Sequence, residues 1–200
     1  MTIQSTSVSS KQSHLHSEAV YQTLPCKGYF PNQFHLKTIP QNIGWYLAGF
    51  ADGEGSFYVT FRYRKDYTWK WRITAVFNVA NKDRVMIYLF KKQFKCGTVR
   101  DIGNDKYLYE VDTLNALQHV VIPFFKEYRF FSAKKKKEFA IFQKIVNILA
   151  ITPRTFSQIK EILKLRMQLG SDRINLFKNL DTSILEVIQK EVIDKNTTQP

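Results

Sequence analysis

Apolar and polar positions change period near residue 55. Upstream, the stretch from Trp45 to Ser56 reads as a helix that starts near Gln41 or Asn42, both able to cap it, and stops at its glycines. Ala48 and Asp52 lie four apart, as do Gly49 and Gly53, so small side chains form a strip where another backbone can approach. Gly55 then serves as a left-handed cap. Downstream the period is two. Phe57, Val59, Phe61 and Tyr63 alternate with Tyr58, Thr60, Arg62 and Arg64, and a turn follows at Lys65-Asp66-Tyr67. Trp69, Trp71, Ile73, Ala75, Phe77 and Val79 then share one face, with Thr68, Lys70, Arg72, Thr74, Val76 and Asn78 on the other.

Lys82–Lys95 predicts a helix whose apolar side includes Val85, Met86, Leu89 and Phe90, ended by Gly97. Thr98–Ile102 and Lys106–Asp112 form a second hairpin across Gly103-Asn104-Asp105. Thr113 caps a helix, Leu114–Tyr128, that Pro123 should kink. Ala133–Ile151 is amphipathic, with Phe139, Phe142, Ile145, Val146 and Leu149 inward, and Arg154–Leu169 and Asp172–Lys195 predict two further helices. The order α-β-β-α-β-β-α gives an α+β fold: a four-stranded antiparallel sheet backed by helices, with extra C-terminal helices. Residues 1–41, rich in Ser, Gln and Thr with Glu18 as their single acid, read as a flexible extension, and 42–200 as one domain.

Charge narrows the function. Thirty Lys and Arg against 17 Asp and Glu give a net charge of +13 and a pI near 9.7, which implies a polyanionic partner or an anionic membrane surface. Phe139–Ile151 contains Gln143 and Lys144, so it does not read as a membrane span. Cys26 and Cys96 are too few for a disulfide framework, and His14 and His16 lack partners at zinc spacing. Every charged side chain in the first two strands is basic, and the Arg, Lys, Thr, Asn and Tyr of the polar face suit phosphate contacts and base-edge readout in a major groove. Arg100 shares parity with Thr98 and joins that face. Lys134–Lys137 stand at a helix start, where the dipole opposes cations, so an anion is expected close by.

Glu54 sits at the negative end of the first helix, beside carbonyls that lack intrahelical partners. Carboxylate and carbonyl oxygens together make a hard-oxygen site suited to Mg²⁺ or Ca²⁺.

Leu47-Ala48-Gly49-Phe50-Ala51-Asp52-Gly53-Glu54-Gly55 resembles the LAGLIDADG motif of homing endonucleases. Phe77-Asn78-Val79, Gly97-Thr98-Val99-Arg100 and Ile122-Pro123-Phe124-Phe125 followed by the lysine run resemble further landmarks of that family, across roughly Asn42 to Leu169. The resemblance implies that the motif helices of two subunits cross in a symmetric dimer whose sheets form a saddle on DNA. It makes Glu54 the catalytic acid and metal ligand with the Gly53 carbonyl beside it, and puts Trp45, Ala48, Gly49 and Asp52 at the dimer interface. Asn81 would position solvent near the metal. Lys134 would lie near the scissile phosphate, although the run has one residue more than usual, so Lys135 or Lys136 could fill that place.

The implied activity is intron-encoded, Mg²⁺-dependent hydrolysis of both strands of a long, approximately palindromic DNA duplex. Ca²⁺ would support binding without cleavage. Tyr58, Thr60, Arg62, Arg64, Lys70, Arg72, Thr74, Asn78 and Arg100 would contact DNA, with no membrane and no small-molecule cofactor involved. The sequence holds one copy of the motif, which by itself makes half a site. An RNA-binding intron maturase is the rival reading, and the intact acid at Glu54 leans toward the nuclease. Family members often sit in introns of mitochondrial or plastid genomes; no Arg precedes Arg62, which argues against an imported transit peptide.

Overall fold

The computed structural model describes residues 36–66 and 71–169, together with Ile184 and Glu186. The expected helix Asp172–Lys195 lies almost wholly outside the described residues, as do Cys26, His14, His16, Thr68, Trp69 and Lys70. A short 3-10 turn, Leu36–Thr38, leads into helix α1, Gln41–Glu54. Ile39 is buried in the core, so the folded part reaches N-terminal of residue 42. Neither Gln41 nor Asn42 caps α1. Pro40 occupies that position, and no side chain makes a capping bond.

Strands β1, Gly55–Tyr63, and β2, Trp71–Asn81, form the long hairpin. Helix α2, Arg84–Phe94, follows. Strands β3, Thr98–Asp101, and β4, Tyr107–Val111, form the short hairpin, and the antiparallel sheet runs β1-β2-β4-β3. Gly103, Asn104 and Asp105 all take positive φ in the short turn, the conformation that their residue types tolerate best. Gly97 is fixed by space as well: a Cβ there would lie 2.5 Å from the Glu110 carbonyl oxygen.

Asp83 caps α2 by accepting from Val85 N, so Val85 stands in the exposed first turn. Met86, Ile87, Phe90 and Phe94 make the inward face instead, which corrects the expectation for Val85. The helix expected over Leu114–Tyr128 is built in three pieces: α3, Leu114–Ala116, a π-helical turn, Leu117–Val121, and α4, Ile122–Glu127. Pro123 falls in the first turn of α4, where its missing N–H costs least. Thr113 is in the cap position of α3, without a side-chain bond. Helices α5, Ala133–Leu149, and α6, Phe156–Arg166, complete the described chain.

One face of the sheet is covered by these helices. Phe57, Val59, Ala75, Phe77, Val79, Tyr109 and Val111 are buried there against Phe90, Phe94, Phe124, Phe125, Phe142 and Ile145. Aromatic rings meet across the layers and between the helices: Phe57 to Phe142 at 4.8 Å, Phe77 to Phe125 at 5.2 Å and Phe94 to Phe124 at 4.6 Å between centroids. Each such ring removes a large apolar area from water, the main term holding the layers together. Among the described residues no helix covers most of the other face, although Val76 on it is buried.

Candidate functional site

Helix α1 ends against the start of β1 with no loop between them. Gly55 is extended there (φ −74°, ψ 148°) and its N–H bonds to the Ala51 carbonyl. It is therefore not a left-handed cap. Glycine is demanded by room, because a Cβ would approach the Ala51 carbonyl oxygen to 2.5 Å. Gly53 and Glu54, just before it, are exposed.

Asp52 is used differently. Its carboxylate accepts from the Phe131 and Ser132 backbone N–H groups, each at 2.9 Å, and from the Ser132 hydroxyl. Ser132 is itself the N-cap of α5, accepting from Lys135 N. Partial burial pushes the Asp52 pKa up. The Ser132 and Phe131 hydrogen bonds and the Lys135 charge outweigh it, and the net value lies below the usual carboxylate range. Asp52 is thus an anion at the start of α5, where the lysine run predicted one.

Of the four lysines, only Lys135 is buried. Its Nζ donates to the Gly55 carbonyl oxygen at 2.5 Å and pairs with Glu138 at 3.2 Å. Lys134, the residue favoured from family spacing, is exposed, as is Lys136. Lys135 is the one of the four whose amine is shown reaching the α1–β1 junction. Asn81 ends β2 at the same end of the sheet, two residues beyond Val79, the register partner of Gly55. Its Oδ1 accepts from Asp83 N at 2.8 Å. Gly53, Glu54, Asn81 and Lys135 therefore share one end of the sheet. Among the described residues no group of three or more His, Cys, Asp and Glu could hold a metal ion. The donor set is one carboxylate plus backbone carbonyls, which suits a hard cation that takes its other oxygens from outside the chain.

On the uncovered face, register places Tyr58, Thr60, Arg62, Arg72, Thr74 and Asn78 together, joined by Thr98 and Arg100 through β4. Arg64 lies beyond β1 and bonds Asp66 at 2.8 Å. Lys70 lies outside the described residues. The face also carries an acid that parity alone did not single out: Glu110, opposite Asn78 and Thr98. It accepts from Tyr58 OH at 2.9 Å and from Arg100 Nη2 at 2.8 Å. Burial, then the hydrogen bond to Glu110 and its charge, push the Tyr58 pKa up to about 12, so this phenol stays protonated and donates.

The small-residue strip on α1 is divided. Ala48 is 1% exposed and packs into the chain's own core, so it is not part of the outward strip. Gly49 and Gly53 face open space, with nothing within 4 Å of an added Cβ. Trp45 (41% exposed) packs edge-on against Tyr128 at 5.5 Å and lies near Phe131 at 6.1 Å. Tyr46 and Phe131 are exposed beside it.

Residues 47–146 match the LAGLIDADG endonuclease family. The chain belongs to that family. It is 30% identical over 148 residues to the probable intron-encoded endonuclease 2 of Neurospora crassa, covering 71% of this chain and 32% of the relative. This chain thus spans about a third of that relative's length. The fold matches I-SmaMI, a LAGLIDADG homing endonuclease bound to cleaved DNA, with a TM-score of 0.60 and 26% identity over 64% of this chain and 43% of that one. Another I-SmaMI structure holds an uncleaved DNA target in the presence of calcium ions. The homing endonuclease I-TnaI has the same fold, with a TM-score of 0.65 and 24% identity over 72% of this chain and 97% of that one. The LAGLIDADG motif therefore fills the C-terminal part of α1 and closes on Gly55, the first residue of β1; its covered face is core, and its last acid stands at one end of the sheet.

Proposed function

We propose that this LAGLIDADG chain is a site-specific homing endonuclease. It hydrolyses both strands of a long, approximately palindromic DNA duplex, working as a homodimer with Mg²⁺. The observation that carries the reading is the contrast between the motif acids: Asp52 is engaged inside the chain, while Glu54 is exposed beside the uncovered basic face. Glu54 and the Gly53 carbonyl would hold the cation, which when bound supplies an activated water, charge neutralisation at phosphorus and a stabilised leaving oxygen. Asn81 orients solvent at that end of the sheet. Lys135 takes the place beside the scissile phosphate first assigned to Lys134, because its amine is the one that reaches the junction.

Trp45, Tyr46, Gly49 and Gly53 form the surface on which the α1 helix of a second copy packs. An exposed aromatic patch flanked by open glycines favours such a contact. Two copies related by a two-fold axis present the same reading face twice, hence the near-palindromic target. Phosphate and base contacts come from Tyr58, Thr60, Arg62, Arg72, Thr74, Asn78 and Arg100 on the face and from Arg64 beyond β1, with Lys70 added on the sequence pattern alone. An intron of a mitochondrial or plastid genome is the proposed setting, in keeping with the intron-encoded Neurospora relative. The test is Glu54→Gln. It should bind the target duplex in Ca²⁺ as wild type does, and lose Mg²⁺-dependent cleavage by roughly 1,000-fold or more. Cleavage at the wild-type rate would remove Glu54 from the mechanism.

A further inference from the structure

Glu110 is out of place on a surface that meets polyanions. A carboxylate there repels phosphate, yet it sits near the centre of the four strands. Tyr58 reaches it from β1, across β2, and Arg100 reaches it from β3. Side chains from three of the four strands therefore join a single network. Glu110 lies low in it, its side chain 18% exposed, while Arg100 stands out at 56%.

We propose that Glu110 is a specificity-determining positioning residue that holds Arg100 to read a guanine; this rests on the DNA-binding reading given above. Guanidinium has five N–H donors in a rigid fork, and the bond to Glu110 occupies one of them. Enough remain to address O6 and N7 of guanine together, the pairing that a fixed fork fits best. The pair carries no net charge, so it releases little counterion and suits a phosphate poorly. Arg62 and Arg72 differ. They are register partners, like charges face to face, and among the described residues neither is ion-paired. Like charges directly opposite are unfavourable until an anion lies across them. The face thus separates into a charge-compensated reading patch and an uncompensated phosphate-holding patch. Glu110 could itself accept from cytosine N4, but both of its oxygens are already engaged and it lies beneath Arg100.

The experiment enriches a randomised duplex library in Ca²⁺ with the full chain, comparing wild type, Arg100→Ala, Glu110→Gln and Glu110→Asp. Wild type should select guanine at one position per half-site. Arg100→Ala should lose that preference by roughly tenfold to a hundredfold with the other positions kept. Glu110→Gln should weaken the same position alone and steepen the salt dependence by about one unit, as the freed guanidinium turns to a phosphate. Glu110→Asp, which keeps the charge and shortens the reach, should fall between them. An unchanged selection profile in Glu110→Gln, or a uniform loss at every position in both Glu110 variants, would overturn the assignment. Wild type that enriches no duplex overturns the DNA-binding reading itself, and the role of Glu110 with it.

Discussion

At the α1–α5 junction, Asp52, Ser132, Lys135, Glu138 and the Gly55 carbonyl satisfy one another across short distances. On the uncovered face of the sheet, Arg62 and Arg72 stand opposite each other, and among the described residues neither has an ion-pair partner. Both regions are rich in charge within one small fold. In the first, charge is spent on joining helix to helix, and at the Lys135–Glu138 pair this happens at low exposure, where a missing partner is costly. In the second, charge is held in water, where it contributes little to folding and stays available to a ligand. The proposed function uses this division, with chemistry at the tied end of the sheet and DNA on its basic face.

The comparison breaks most readily at Lys135. Replacing it by Met leaves Glu138 and the Gly55 carbonyl without their cation, and should cost about 3 kcal/mol of stability, read by urea or thermal unfolding. Lys134→Ala, at an exposed position, should melt within about 1 °C of wild type. If the two variants melt alike, the junction is not held by the Lys135 amine.

A smaller effect is expected at Asp52. Its folded pKa lies below the unfolded value, so its contribution is fully present above the unfolded pKa and is lost as pH falls through the folded one. Asp52→Asn should lower Tm at pH 7 by about 2–4 °C, and the gap from wild type should close toward pH 2. A gap that persists unchanged at low pH would show that shape rather than charge joins α1 to α5.

The smallest effect on stability belongs to the open face. Arg62→Ala and Arg72→Ala should each leave Tm within about 1 °C, while lowering the slope of log affinity against log salt by about one. Loss of stability with an unchanged slope would move these arginines into the structural class.

The elements were legible because each carries its own period. Alternation from Phe57 to Val79 fixed the long hairpin, and Gly103-Asn104-Asp105 fixed the short one. The errors arose where one local choice shifted the phase. Asp83 capping α2 moved Val85 outward, and the absence of a loop after Glu54 made Gly55 extended. Ala48 and Gly49 look equivalent in a list of small residues. A rotation of about 100° per residue sends one into the core and the other to the surface. Glu110 shows a different limit. Its parity could be read, but its partners come from β1 and β3, and their convergence depends on the strand order β1-β2-β4-β3.

By itself the sequence determined the α+β order, the basic face and the motif whose last acid is Glu54, since these rest on periodicity, charge and contiguous residues. Tertiary structure decided which of four lysines turns inward, which motif acid is engaged, and how Arg100 differs from Arg62. The reason is common to all three. A side chain's chemistry comes from its type, while its partners come from segments up to 80 residues away, brought alongside only when the core closes.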